Sequence, residues 1–208
     1  MSATATADLA YKGLNPVAPH RIVRFGMFTF LASEVMLFAG LIGGYIVLRK
    51  SLGTNFVPPN APALPVFGTL MASLFLFASS GTCILGERRA VKGKRATWWL
   101  FATILLGAIF LGNQVREWHE LYEHGLWFNT YGTYASTFFT ITGFHGFHVF
   151  VGLILLTMTW VLSLLGKFDG PNINFFDCVA LYWHFVDIVW VVVFTILYIP
   201  QFVPFLTT

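Results

Sequence analysis

The 208 residues predict an all-α, polytopic membrane protein, a bundle of five transmembrane helices with the N-terminus inside and the C-terminus outside. Three observations carry that reading. Hydrophobic residues make up 57% of the chain and charged residues only 10%, where a soluble domain carries about 25% charged residues. Five apolar runs each approach or exceed the ~20 residues that cross a bilayer as a helix. Lysine and arginine gather at alternate ends of those runs, as the positive-inside rule requires.

Two segments follow: a cytoplasmic N-terminal stretch, residues 1–24, and a transmembrane domain, residues 25–208. The first span covers about 25–48, bracketed by Arg21 and Arg24 before it and by Arg49 and Lys50 after it. The second, about 66–85, is entered through Pro58, Pro59, Pro62 and Pro65, which forbid helix in the connection. The third covers about 97–114. The fourth, about 135–165, is long enough to tilt or project. The fifth, about 178–199, stops at Pro200. Backbone groups in lipid must be satisfied within the segment, so these runs are helices rather than strands. No signal peptide, internal repeat or soluble domain is expected.

Nine of the 12 basic residues (Lys12, Arg21, Arg24, Arg88, Arg89, Lys92, Lys94, Arg95, Lys167) fall on the side of the N-terminus. Arg49, Lys50 and Arg116 fall on the other, which places the N-terminus in the cytoplasm. Trp98 and Trp99 open the third span, and Trp127, Tyr131 and Tyr134 precede the fourth, as interfacial aromatics do. A net charge of +3 gives no reason to expect nucleic acid as a partner. Cys83 and Cys178 lie in apolar runs without metal-ligand spacing and read as buried thiols.

Within the spans stand five ionisable groups: Glu34, His145, His148, His184 and Asp187. A carboxylate at mid-bilayer costs roughly 2.5–3.5 kcal/mol on insertion scales, so each should face protein, find a partner or stay protonated. With a rise of about 1.5 Å per residue, all five fall between the inner half of the membrane and its midplane. His145 and His148 are three residues apart, as are His184 and Asp187, so each pair shares a helix face. The simplest arrangement is one polar layer between the first, fourth and fifth helices, with Glu34 bonded to His145 or His148. Three uses stand open for it: a metal or haem site on the histidines, a proton path through Glu34, and a hydrogen-bonded network fixing helix packing. The missing ligand spacing and the lack of a chain of carboxylates across both halves of the membrane favour the packing network.

Small residues point to close helix contacts. Ala39 with Gly43 and Gly40 with Gly44 form overlapping small-xxx-small pairs on the first helix. Ser79, Ser80 and Gly81 do likewise on the second, and Gly143, Gly146 and Gly152 on the fourth. The outer connection between the third and fourth spans carries Glu117, Glu120, Glu123, His119 and His124 and reads as a solvated loop, although an acidic surface can attract a basic electron carrier.

Three stretches resemble the subunit III family of haem-copper respiratory oxidases, in its short five-helix bacterial form. They are Phe30-Leu-Ala-Ser-Glu34-Val-Met-Leu-Phe-Ala-Gly40, then Tyr134-Ala-Ser-Thr-Phe-Phe139 with Thr142-Gly-Phe-His145-Gly-Phe-His148, and Tyr182-Trp-His184-Phe-Val-Asp187-Ile-Val-Trp190. The resemblance implies an accessory subunit of a proton-pumping terminal oxidase that reduces oxygen to water, in the cell inner (plasma) membrane. It implies no redox centre, metal or catalytic residue in this chain, with haem and copper in partner subunits and phospholipid bound. The implied partners are subunit I as main contact, subunit II and a small subunit IV. The donor to the complex would be cytochrome c, with quinol as the alternative. On this match Glu34 is the family's membrane-embedded carboxylate, and His145, His148, His184 and Asp187 its other intramembrane polar positions. Longer members have seven helices, the first two enclosing a lipid-filled cleft, and the five spans here correspond to the third to seventh. Lipid in that cleft would then need a wall from another subunit. The competing class is a self-sufficient proton channel or transporter, against which the absence of repeats and broken helices argues.

Overall fold

The computed structural model describes residues 19–128, 130–167 and 170–202. Five long helices cover most of that length: α1 (Pro19–Leu52), α2 (Val66–Val91), α3 (Thr97–Glu123), α4 (Gly132–Leu164) and α5 (Gly170–Leu197). A 3-10 turn at Gly53–Asn55 follows α1, and a last short helix, α6 (Ile199–Phe202), follows α5. All five long helices are apolar enough to cross a membrane, and the described residues contain no strand. Of the expected cytoplasmic segment, residues 1–18 lie outside the described residues, and helix is already present from Pro19.

The helices outrun the apolar stretches that announce them, because a helix continues past the lipid wherever a buried face or a cap supports it. α2 starts directly after Pro65 and ends in a turn where Gly93 adopts a φ of 67°. There the Lys94 N–H donates to the Arg89 carbonyl at 2.9 Å, satisfying a carbonyl that the helix end leaves open. α3 ends the same way, with Gly125 at a φ of 82° and the Leu126 N–H on the Leu121 carbonyl. Past α5 the chain turns at Tyr198 and resumes as α6, with Pro200 inside that helical turn rather than as a terminator.

α5 is the hub. It packs on α1, α2 and α4, whereas α1 reaches only α5 and α4 among the long helices. The most apolar stretch of α5 is 50% buried and that of α1 only 11%. Aromatic residues of α5 and of the turn after it fill the bundle: Trp183, Trp190 and, just past the helix, Tyr198 are fully enclosed. Their polar atoms bond across helices, Trp183 Nε1 to Ser79 Oγ at 3.0 Å and Trp190 Nε1 to Ser73 Oγ at 2.7 Å. Buried indoles find such acceptors because an unmet N–H in an apolar interior is costly. Ser79, read as a small spacer, is an acceptor here, as is Ser73.

Trp183 also explains two glycines. A Cβ on Gly107 of α3 would lie 2.7 Å from the Trp183 ring, and one on Gly152 of α4 would lie at the same distance from its other edge. The indole therefore lies like a wedge between two helices that glycine alone allows so close. Gly143 and Gly146 have ordinary neighbours, Trp118 at 3.4 Å and Leu111 at 3.9 Å. Gly40 and Gly44 meet nothing within 4 Å, so the small-residue pairs of α1 face away from this chain's own bundle.

Gly152→Ala should therefore lower stability by about 1–3 kcal/mol, the usual cost of overpacking a filled interior. Gly40→Ala should stay within about 0.5 kcal/mol of the parent, as an open surface position does. Thermal unfolding of both variants in one detergent checks the contrast. Equal losses would refute the wedge.

Candidate functional site

The inner face of α1 repeats at three- and four-residue intervals through Met27, Leu31, Glu34, Phe38, Leu41 and Tyr45. That period aims Glu34 at α4, where its Oε2 lies 3.0 Å from His148 Nε2. The pair is nearly enclosed, with side-chain exposures of 16% for Glu34 and 9% for His148. Phe38 meets the imidazole edge-on at 5.1 Å, and the Tyr182 hydroxyl donates to the His148 carbonyl at 3.1 Å. His148 Nδ1 is 2.7 Å from the Phe144 carbonyl, which can only accept, so Nδ1 carries hydrogen. The Glu34–His148 contact then needs one proton between its two atoms. Either a protonated Glu34 donates to a neutral imidazole, or an imidazolium donates to a carboxylate. Both states have zero net charge, which is what lipid tolerates.

The other intramembrane groups do not join this node. His184 and Asp187 face α2, where Ser80 Oγ lies 2.9 Å from His184 Nδ1 and hydrogen-bonds Asp187 Oδ2. The single hydroxyl donates to the carboxylate and accepts from the Nδ1–H of the ring. His145 stands apart from both nodes. It is fully buried, its ring stacks on Trp190 at 4.7 Å and touches Phe110 edge-on at 5.9 Å, and neither ring nitrogen has a hydrogen-bond partner. The single polar layer expected between the first, fourth and fifth helices is thus divided. The residues agree in depth, but the azimuth of α5 turns His184 and Asp187 towards the second helix instead.

A third node escaped the sequence reading. Glu117, assigned there to a solvated outer loop, lies inside α3 with 2% exposure. Its Oε2 accepts from Thr69 of α2 at 3.0 Å and its Oε1 from Tyr198, just beyond α5, at 2.8 Å. The correction has a legible cause. The buried positions of α3 run Leu100, Thr103, Gly107, Phe110, Gln114, Glu117 and Leu121, an unbroken alternation of three and four. Charge density ended the expected span at residue 114, whereas the period continued through Glu117. The neighbouring acids do reach solvent, Glu120 pairing with Arg116 and Glu123 with His119. At the opposite end, Arg24 Nε of α1 lies 3.0 Å from Asp177 Oδ2 of α5, a contact that sequence spacing could not have matched.

Among the described residues, no group of three or more histidine, cysteine, aspartate or glutamate side chains could hold a metal ion. Cys83 and Cys178 are buried free thiols. What the constellation can do chemically is hold one proton at Glu34–His148 and tie helices together at the other nodes.

A profile of the family described as cytochrome c oxidase subunit III matches residues 4–201. The chain is 38% identical to a protein named "Probable cytochrome c oxidase subunit 3" in Mycobacterium tuberculosis, covering 85% of this chain and 87% of that one. It is 37% identical to the cytochrome c oxidase subunit 3 of Corynebacterium diphtheriae, over 86% of this chain and 89% of the relative. Identity with the subunit 3 of Thermostichus vulcanus is 35%, over 84% and 85% respectively.

Glu117→Leu should destabilise the protein by about 1–3 kcal/mol, because it leaves the buried Tyr198 hydroxyl without its acceptor and Thr69 with only the Pro65 carbonyl, and Glu117→Gln should cost less. Thermal unfolding in detergent reads both, and a Leu variant as stable as the parent would disprove the burial. A hydrophobic carbodiimide probes the other node: a protonated Glu34 should be labelled, and faster once His148→Leu removes its partner. An unchanged rate would argue that the two side chains do not share a proton.

Proposed function

Because the chain belongs to the cytochrome c oxidase subunit III family, we propose that it is the redox-centre-free companion of the catalytic subunit in a proton-pumping terminal oxidase. The observation that carries this reading is the family match along residues 4–201, nearly the whole chain. Family members are subunits of an oxidoreductase complex, and membership implies partnership with the other oxidase subunits. In the proposed assembly this chain stabilises subunit I, meets subunit II and a small subunit IV, supports proton uptake and holds phospholipid. Cytochrome c is the proposed donor, in keeping with the names of the relatives. Nine basic residues against three support a cytoplasmic N-terminus and an outer C-terminus in the plasma membrane.

The proposed role of the intramembrane residues is structural first. Glu34 and His148 pin α1, the least buried helix, to α4 with a contact that stays neutral. Ser80, His184 and Asp187 lock α2 to α5, while His145 fills an aromatic interior. Separate nodes divided by aromatic packing support an accessory role over a self-sufficient proton channel, which would need a continuous polar route.

Purification in mild detergent should yield this chain together with haem-containing subunits, while the chain alone shows no haem absorbance and no stoichiometric copper. A functional oligomer free of haem subunits would overturn the proposal. In the intact complex, Glu34→Gln should leave the initial rate of oxygen consumption largely unchanged, since glutamine keeps a hydrogen bond to His148. Immediate loss of most activity in a fully assembled complex would make Glu34 an obligatory proton carrier instead.

A further inference from the structure

α5 packs against α1, α2 and α4, yet α1 and α2 do not touch each other. One side of α5 is therefore left open between them. Its floor there is Ile188, Val191 and Val192, which are 65%, 48% and 42% exposed. On the α2 side, Phe77 and Ile84 flank Ser80 by one turn and are themselves exposed. At the inner end the opening closes: Arg24 of α1, Glu87 of α2 and Asp177 of α5 line one small cavity of about 190 Å³, with Arg24 paired to Asp177.

His184 stands in this opening, two helical turns or about 10 Å beyond Asp177, among acyl tails rather than headgroups. It is half-buried, and its Nε2 reaches the surface without a hydrogen-bond partner among the described residues. Counting protons shows what that nitrogen offers. Lipid tolerates the Ser80–His184–Asp187 node only at zero net charge. One such state is an imidazolium beside a carboxylate, with Nδ1–H on Ser80 and the Ser80 hydroxyl on Asp187 Oδ2. The other reverses the chain: a protonated Oδ2 donates to Ser80, which donates to Nδ1. Both leave hydrogen on Nε2. Placing the proton on Asp187 Oδ1 instead would strand it, because that atom is buried without a partner. The open side of α5 thus presents an N–H donor to the hydrocarbon.

We propose that the face of α5 between α1 and α2 docks a transmembrane helix of another subunit, one carrying a hydrogen-bond acceptor level with His184. A serine, threonine, asparagine or carboxylate side chain on that helix would accept from Nε2–H, and its apolar face would cover Ile188, Val191 and Val192. The occupant follows from polarity. An acyl tail has no acceptor at this depth. A second copy of this chain brought face to face would set the same N–H against its mate. The surface deepens the proposed partnership with oxidase subunits and rests on that reading for the identity of the complex.

Photocrosslinking in the detergent-purified, haem-containing complex tests it, with p-benzoylphenylalanine in place of Ile188. Mass spectrometry of the adduct should show this chain joined to one other polypeptide of the complex. His184→Leu should weaken retention of this chain by the complex about 3- to 15-fold, the range of interhelical hydrogen bonds in membranes. His184→Gln keeps an N–H and should restore most of it. Ile188→Trp leaves the Ser80 node intact and should weaken retention by filling the opening. An adduct of twice the chain mass would mean a second copy, and an adduct with phospholipid alone would mean a lipid-facing surface; either overturns the proposal. So would unchanged retention in both His184→Leu and Ile188→Trp, or equal losses in His184→Leu and His184→Gln. Haem absorbance of the same samples separates the failures: lipid adducts with haem retained refute this surface only, and absent haem refutes the oxidase partnership.

Discussion

A polar atom in lipid is costly unless it is matched inside the protein, and in this bundle α5 does most of the matching. Its side chains bond α1 through Asp177, α2 through Trp183, His184, Asp187 and Trp190, and α4 through Tyr182. The Tyr198 hydroxyl extends the series to α3. Lipid tails are as apolar as leucine, so burial of apolar surface gives little drive for helices to associate there, and such bonds together with tight packing set the register. The Trp183 wedge and these bonds fix the same alignment. Sliding α5 by one residue would at once drive the indole into a helix backbone and strand its N–H.

Glu34 and His148 show how the same demand is met where a charge is at stake. A buried ion pair in a dry interior is a poor source of stability, since desolvation offsets most of the attraction. Here the proton has a place on either partner, so the pair avoids isolated charge in whichever form it takes. The Nδ1–H bond to the Phe144 carbonyl decides that only Nε2 takes part. Ser80 plays the corresponding part for His184 and Asp187, a lone hydroxyl reconciling a donor and an acceptor.

Length and hydropathy made the five helices legible in the sequence, and the three motif stretches pointed to the family. Azimuth was harder to read. Equal depth suggested that His184 and Asp187 share a layer with Glu34, but depth along a helix says nothing of the direction a side chain takes around it. The period of α3 contained the information that Glu117 is buried, and a threshold on charge discarded it. Gly107 carried no mark at all: its reason lies in Trp183, 76 positions later, and only folding brings the two together. On α1 the small-residue pairs promised contact with the bundle, whereas the period through Glu34 and Phe38 had already assigned the opposite face to it.

The bond between Glu34 and His148 joins residues 114 positions apart. A ribosome adding about 5–20 residues per second needs roughly 6–23 s to supply the second after the first. Through that interval α1 is in the insertion machinery with a carboxyl group and no imidazole to receive it. Arg24 waits longer still, since Asp177 comes later in the chain. The helix least embedded in the finished bundle is thus the first of the five to be made and waits for α4 for its partner. Its unfinished form, a lone helix with an acid at its middle, is what a membrane chaperone or quality-control protease would recognise as an orphan, and the arrival of α4 is the event that ends that status.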